Sequence, residues 1–210
     1  MVAQHSAAQD RMEWQAGEDD ADLRYAFKPS VVGGWCTFAL KPDGLHWQIG
    51  ARSGRVRYER IRAVRLSFRP VTMQSRRFVA EIWSSDNPKI KIVSVSWRSV
   101  VEQVRQDGPY ADFITELHRR LDACGSRAQF SAGLPVLIYW FGVTTFVAVL
   151  VAMAVVIFRT MRIEQWSASA IVAAILVMFA LQIGNYFRRN KPVRYRPDAI
   201  PPEVLPKAKG

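Results

Sequence analysis

Cysteine and histidine are scarce in this 210-residue chain, and their scarcity excludes several kinds of site. Cys36 and Cys124 form neither a CxxC pair nor a disulfide framework. We expect two small apolar side chains in a reducing compartment, with a bridge or a reactive thiol as the alternative. His5, His46 and His118 lie far apart, without His or Cys neighbours at ligand spacing, so we predict no metal site.

Motifs that carry catalysis are also missing from the sequence. It contains no GxSxG, P-loop, HExxH or Rossmann fingerprint. Glu116 and His118 are two residues apart on a predicted helix and cannot face each other, so we expect His118 at the surface or its boundary. No helix-turn-helix or aromatic stacking motif accompanies the positive charge, which disfavours nucleic acid. We therefore predict a protein that is not an enzyme and has no cofactor.

Charged side chains are absent from two long runs near the C-terminus. Residues 128–158 and 166–187 contain none. At 1.5 Å per residue, Leu134–Phe158 spans about 37 Å and the second run about 33 Å, enough to cross a hydrocarbon core of about 30 Å. We predict a transmembrane hairpin over 131–188, with spans at about 134–158 and 166–187. Because neither span holds an ionisable residue, ion-coupled transport is disfavoured.

The residues beside these spans predict how the hairpin sits. Eight basic residues flank the outer ends of the spans, against Arg159 and Arg162 in the connecting loop. This bias favours a multi-pass protein of the inner membrane with both termini in the cytoplasm. Alanines four residues apart mark faces on which helix backbones could approach closely. The flanking residues are Arg119, Arg120, Arg127, Arg188, Arg189, Lys191, Arg194 and Arg196, and the alanines are Ala148, Ala152, Ala170 and Ala174.

The two ends of the chain differ in charge. Residues 1–22 hold six acids and one basic residue, without the apolar core of a signal peptide, and predict an acidic disordered lead. Residues 189–210 form a basic tail whose prolines favour an extended, non-helical course. The remaining segment, residues 23–126, is predicted to be a separate cytoplasmic domain.

Alternating apolar residues in that domain predict antiparallel strands. Val64, Leu66 and Phe68 share one face of a strand, with Arg65, Ser67 and Arg69 on the other. A helix follows, with one apolar stripe. We therefore predict an α+β chain: a small antiparallel β-barrel or sandwich closed by one C-terminal helix, followed by two transmembrane α-helices. The stripe comprises Tyr110, Phe113, Ile114, Leu117 and Leu121.

Three segments carry a resemblance to a known family. "FALKPDGLHW", "VRYERIRAVRLSF" and the closing "YADFITELHRRL" resemble bacterial pleckstrin-homology (PH)-like domains found next to membrane spans. A Y-x-x-I-x-x-V step of that family is matched by Tyr58, Ile61 and Val64. The resemblance implies a fold and no catalytic residues. The "KPDG" loop does not match the family's lipid motif, so no phosphoinositide-binding residue is implied.

Nine arginines lie within residues 52–77, and they permit three interpretations. They could form a solvated outer surface whose long stems cover apolar side chains. They could face anionic headgroups, where each basic residue contributes about 1 kcal/mol. They could bind an acidic partner protein. The predicted face comprises Arg52, Arg55, Arg57, Arg65, Arg69, Arg76 and Arg77, and the predicted juxtamembrane basic set comprises Arg188, Arg189, Lys191, Arg194 and Arg196.

The functional hypothesis that follows is an interaction module. The cytoplasmic domain would bind a protein partner, and the hairpin would fix it at the inner membrane. Recognition of anionic lipid by the arginines is one alternative. The other is a structural or assembly subunit of a larger membrane complex, and a homo-oligomer is left open.

Overall fold

A computed structural model of the chain describes residues 23–70, 76–99, 102–162 and 166–206. The predicted acidic lead, residues 1–22, lies outside the described residues. The first sheet is an antiparallel meander of four strands in sequence order. Its turn at Pro42–Asp43 joins the two strands that the sequence predicts as a hairpin. The strands are β1 (Leu23–Phe27), β2 (Cys36–Lys41), β3 (Gly44–Ile49) and β4 (Arg52–Val56).

The second sheet has five strands in the order β11-β10-β5-β6-β7. Strand β10 runs parallel to β5, and every other pair in this sheet is antiparallel. A third sheet pairs two short strands. The bounds are β5 (Ile61–Pro70), β6 (Arg76–Ser84), β7 (Ile90–Val93), β8 (Val95–Trp97), β9 (Gln103–Arg105), β10 (Gln129–Ala132) and β11 (Val193–Arg194).

This architecture confirms the predicted α+β class; of the predicted barrel or sandwich, a closed barrel is excluded, because the strands form several separate sheets. A short 3₁₀ turn, Tyr58–Arg60, separates β4 from β5, and the two strands belong to different sheets. The predicted antiparallel arrangement also fails at one place, because β10 adds a parallel strand beside β5. The sheets therefore remain separate, and the apolar faces meet in one core.

Helix α1 (Asp107–Ala123) packs on this core. All five residues of the predicted apolar stripe are buried, which confirms the period of the helix. Tyr25 of β1 contacts the rings of Tyr110 and Phe113 at 6.0 and 5.7 Å. These aromatic contacts fix the helix against the first sheet.

Two long apolar helices follow the domain, as the sequence predicts. Helix α2 (Val136–Arg162) has a mean hydropathy of 2.6 over its most apolar window, and helix α3 (Trp166–Arg189) reaches 2.0. None of either window is buried inside the protein. The two helices are long and apolar enough to cross a membrane, and their exposure distinguishes them from core helices of a soluble domain. Both helices are therefore candidate membrane spans, which indicates association with a membrane.

The helices contact each other near their domain-side ends through aromatic rings. Phe187 of α3 lies 5.8 Å from the rings of both Tyr139 and Phe146 of α2. The four alanines singled out in the sequence are exposed, so they lie outside this contact.

The segment after α3 returns to the domain. Strand β11 pairs with β10, and Val204 is buried in the core with only 1% of its surface exposed. Tyr195, Ile200 and Leu205 pack against the same core. Strands β10 and β11 thus bracket the hairpin, and both of its ends join one sheet.

Candidate functional site

The predicted arginines divide between the two larger sheets. Arg52 and Arg55 lie on β4, Arg57 follows that strand, and all three are exposed. The Arg55 guanidinium donates to Asp43 Oδ2 at 2.7 Å, and Arg57 lies 3.3 Å from Glu59. The Arg55 hydrogen bond lowers the pKa of Asp43. Solvent and local carboxylates are therefore the partners of Arg55 and Arg57.

Arg65, Arg69 and Arg77 lie instead on the five-stranded sheet, on the face opposite Val64, Leu66 and Phe68. Directly paired residues share a face, and the register pairs Arg65 with Glu81 and Arg69 with Arg77. Of Arg76 the structure describes only the backbone, which pairs with Pro70 in the same ladder. We call this surface the basic sheet face; its polar and aromatic strand positions are Arg65, Ser67, Arg69, Arg77, Glu81, Trp83, Lys91, Ser131 and Arg194.

Positive charge exceeds negative charge on the basic sheet face. Among its described strand positions Glu81 is the one acid; it is buried and lies 3.6 Å from Arg69 and 3.0 Å from Lys89. Burial and the nearby Arg69 lower the pKa of Arg77. Burial, Arg77 and Arg69 likewise lower the pKa of Lys91. The cations repel one another, and a single carboxylate does not balance them.

Ser67 lies among these cations and is almost completely buried, with 1% of its surface exposed. Its hydroxyl has no hydrogen-bond partner in the described part of the chain, and the same holds for the Nε atoms of Arg69 and Arg77. Buried polar groups are normally hydrogen-bonded, and leaving one unpaired costs about 1–3 kcal/mol. A group of donors with excess positive charge and few acceptors is suited to binding an oxyanion.

A cleft of about 340 Å³ opens beside this cluster, over β5, β10 and β11. The Arg65 guanidinium lies 5.3 Å from the Trp83 ring, and its Nε donates to Ser131 Oγ at 3.4 Å. Lys89 contacts the same ring at 5.6 Å. Leu134, Pro135 and Val136, where the chain enters α2, also line the cleft. The cleft therefore combines cations with an aromatic surface at the base of the hairpin.

The hairpin joins the sheet through a buried asparagine. Asn190 is fully buried; its Oδ1 accepts from Phe68 N–H at 3.1 Å, and its Nδ2 donates to Tyr186 O at 3.2 Å. Its backbone carbonyl accepts from Leu134 N–H at 3.0 Å. Gly133 has φ +82°, and a Cβ there would lie 2.4 Å from the Asn190 carbonyl oxygen. The ends of both helices are thus fixed to β5.

The juxtamembrane basic set is spread around this junction. The Arg189 guanidinium lies 5.0 Å from the Phe68 ring, and Arg188 donates to Asn185 Oδ1 at 3.2 Å. Arg194 is paired with Ser131 across β11 and β10, so it belongs to the basic sheet face. Lys191 and Arg196 are exposed on either side. The structure places Arg194 in the same row as Arg65, with Ser131 of β10 between them, which the sequence does not indicate.

A buried histidine links α1 to the tail, and its predicted surface position is wrong. His118 is 1% exposed; its Nδ1–H donates to Ile114 O at 2.7 Å, so Nε2 accepts from the Tyr195 hydroxyl at 2.9 Å. Burial lowers the pKa of His118 to about 4, and the ring is therefore neutral. The signal was present in the sequence, because position 118 follows Ile114 by four residues and lies on the apolar stripe.

The arginines of the basic sheet face are donors with permanent positive charge, which suits them to holding anions. Within the described ranges, His, Cys, Asp and Glu form no group of three that could hold a metal ion. Cys36 is buried and Cys124 is exposed, both as free thiols.

Comparisons of the chain with protein-family models, with curated proteins and with solved structures found no match.

Proposed function

We propose that this chain is a non-enzymatic integral membrane protein whose β-domain acts as an interaction module at the cytoplasmic surface of a bacterial inner membrane. The observation that carries the proposal is that the five-stranded sheet of the domain is joined directly to both ends of the hairpin. Because β10 precedes α2 directly and β11 follows α3, the hairpin continues from the sheet at both ends. A domain held by two strands keeps one orientation, so its surfaces face fixed directions relative to the bilayer.

A PH-like architecture is the fold interpretation that we retain for this domain. Its support is the order of elements: four antiparallel strands, three more in a second sheet, and one helix packed on the core. The resemblance of "FALKPDGLHW" and of the Tyr58, Ile61, Val64 step points to the same family. Such a domain presents its sheets and loops to partners, and no reaction follows from its fold.

The cytoplasmic orientation is supported by the distribution of arginine and lysine. Eight basic residues lie near the domain-side ends of the spans and two near the connecting loop. The pairing of β10 with β11 places both domain-side ends together, which agrees with an even number of spans.

Labelling of cysteine tests this orientation in native membranes. Cys124 is exposed on the domain, whereas Cys36 is buried. We expect a membrane-impermeant maleimide to label Cys124 in inside-out vesicles and to leave it unlabelled in right-side-out vesicles. The matched control is Arg162→Cys in a Cys124→Ala background, which should show the opposite pattern. Labelling of Cys124 from outside would overturn the proposed orientation.

Crosslinking in native membranes, followed by mass spectrometry, tests the interaction module itself. We expect crosslinks from lysines of the domain, such as Lys28 and Lys89, to one recurring membrane or cytoplasmic protein. Recovery of crosslinks only within the chain would argue against a protein partner.

A second candidate function is that of an assembly subunit that binds through the hairpin. Its support is the exposure of Ala148 and Ala152 on α2, and of Ala170 and Ala174 on α3, away from the contact between the two helices. Small residues allow the close approach of another transmembrane helix. Ala148→Leu with Ala152→Leu should abolish co-purification of such a partner in detergent, whereas loss of co-purification on changing only the domain would favour the interaction module.

A further inference from the structure

One end of the basic sheet face lies where the chain enters the hairpin. Strand β10 runs parallel to β5 with Ala132 beside Leu66, and α2 begins at Val136. The Gly133 N–H continues this ladder by donating to Leu66 O at 2.8 Å. The residues of β5 that follow Leu66 therefore extend toward the hairpin.

Asn190 lies at the base of the hairpin and contacts both β5 and the residue that precedes α2. It accepts from Phe68 N–H at 3.1 Å and from Leu134 N–H at 3.0 Å. Arg69 is the next residue of β5 and pairs with Arg77. Because a strand advances about 3.3 Å per residue, this arginine pair lies roughly one residue from the helix bases. In a bilayer crossed by the hairpin, that level is the headgroup region.

We propose that Ser67, Arg69, Arg77 and Lys91 form a binding site for the phosphate of an anionic phospholipid headgroup. The guanidinium groups can each donate two N–H bonds to phosphate oxygens, and the ammonium adds a further donor. The buried Ser67 hydroxyl, which has no partner in the described part of the chain, gains an acceptor. This inference rests on the proposed function, since it requires that the hairpin cross a bilayer.

Location and charge favour a phospholipid over an acidic protein segment. The Arg69 side chain is 37% exposed, so a headgroup can reach it from the bilayer. A protein segment would have to displace the headgroups that surround the helix bases. Arg189, 5.0 Å from the Phe68 ring, adds positive charge at the same level. Basic residues this close to an anionic leaflet are strongly attracted to it.

Native mass spectrometry of the full chain in dodecyl maltoside can measure lipid retention directly. We expect dioleoylphosphatidylglycerol to be retained about tenfold more strongly than dioleoylphosphatidylcholine, a difference of about 1.4 kcal/mol. The double variant R69Q/R77Q should lose about thirtyfold of the phosphatidylglycerol affinity, as expected for roughly two basic contacts. The matched control R55Q/R57Q removes the same charge from the four-stranded sheet and should retain the lipid as the parent chain does.

Ser67→Ala provides a variant that keeps every charge. It should weaken phosphatidylglycerol retention about fivefold, the effect of roughly one hydrogen bond. This variant also keeps the proposal testable if R69Q/R77Q does not fold, which near-ultraviolet circular dichroism would reveal.

Three results would overturn the inference. They are equal retention of the two lipids, an equal loss in R55Q/R57Q, and full competition by millimolar inorganic phosphate, which would identify free phosphate rather than lipid as the ligand. The assay in detergent does not depend on orientation or on a protein partner. Its failure would therefore leave the proposed interaction module standing, and the cysteine-labelling and crosslinking experiments would decide that proposal separately.

Discussion

The two larger sheets use the same residue type in opposite ways. On the four-stranded sheet, Arg55 is exposed and pairs with Asp43. On the five-stranded sheet, Arg69 and Arg77 are directly paired and partly buried, and Arg69 shares the nearby carboxylate of Glu81 with Lys89. The sequence shows a similar alternation of arginine and apolar residues in both. The neighbouring strands make the difference, because β5 lies inside its sheet with Arg77 on the adjacent β6 and Arg194 on β11, beyond β10, whereas β4 is an edge strand.

The sheets also differ in what they carry, since only the five-stranded sheet continues into the hairpin. Gly133→Ala tests this attachment most severely. Its φ of +82° is unfavourable for alanine, and the new Cβ would lie 2.4 Å from the carbonyl oxygens of Asn190 and Lys191. We expect a loss of about 4 kcal/mol in the free energy of unfolding, measured by urea denaturation in detergent with tryptophan fluorescence.

Gly50→Ala is the matched control on the four-stranded sheet. Its φ is +58°, but nothing lies within 4 Å of the new Cβ, so only the backbone conformation is penalised, by about 1 kcal/mol. If the two variants unfolded at the same urea concentration, the tight junction at Gly133 would not exist.

Acid should weaken the contact that holds the tail on the domain. His118 has a pKa of about 4 in the folded protein, against 6.5 for an ordinary histidine, because burial disfavours its charged form. Below pH 6.5 the unfolded chain binds a proton that the native state does not. The free energy of unfolding therefore decreases as the pH is lowered. The loss should reach about 3 kcal/mol by pH 4.

The unfolding free energy should be followed from pH 6.5 to 4.5. Hydrogen bonds from Arg119 and Arg120 lower the pKa of Glu116 from 4.5 to about 2, so most of its contribution is lost as the pH falls from about 4.5 toward 2, below this window. His118→Gln cannot titrate and should remove the slope. A slope that persisted in this variant would assign the pH dependence to other groups.

Asn190→Ala should have a smaller effect, again confined to the five-stranded sheet. It leaves the buried Phe68 N–H without its acceptor, at a cost of about 2 kcal/mol in unfolding free energy. Asn87→Ala removes an exposed bond to Arg55 O at 3.2 Å and should change stability by less than about 0.5 kcal/mol. Equal effects of the two changes would show that the junction contributes no more than a surface turn.

Periodicity predicted the parts of this molecule that depend on local sequence. The stripe of α1, the alternation of Val64, Leu66 and Phe68 on β5, and the two apolar helices were all predicted correctly. The stripe and the alternation follow from burial of one side of a regular element. The two apolar helices follow from long uncharged runs that are not buried within the protein. The seven arginines were also visible, but their division between two sheets depends on pairing.

The parts that could not be predicted depend on distant partners. Strand β10 has only four residues inside an uncharged run, and β11 has two. Their strand conformation is set by pairing with β5, and the bond between Phe68 and Asn190 spans 122 positions. Ser67 belongs to the predicted polar side of β5 yet is buried, beside its equally buried partner Val79 on β6. Such burial leaves no periodic signal.

The smallest expected effect is the sharpest test of the difference between the two sheets. Replacing an arginine by glutamine should change the free energy of unfolding in opposite directions on the two sheets. Arg77→Gln relieves repulsion from the directly opposite Arg69 and should raise the unfolding free energy by up to about 1 kcal/mol in neutral detergent. Arg55→Gln breaks an exposed ion pair with Asp43 and should lower it by at most about 1 kcal/mol. Raising the salt concentration should shrink both differences, because screening weakens repulsion and attraction alike. A destabilising Arg77→Gln would mean that the guanidinium groups already have balancing partners, which would remove the electrostatic reason for an anion to bind between them.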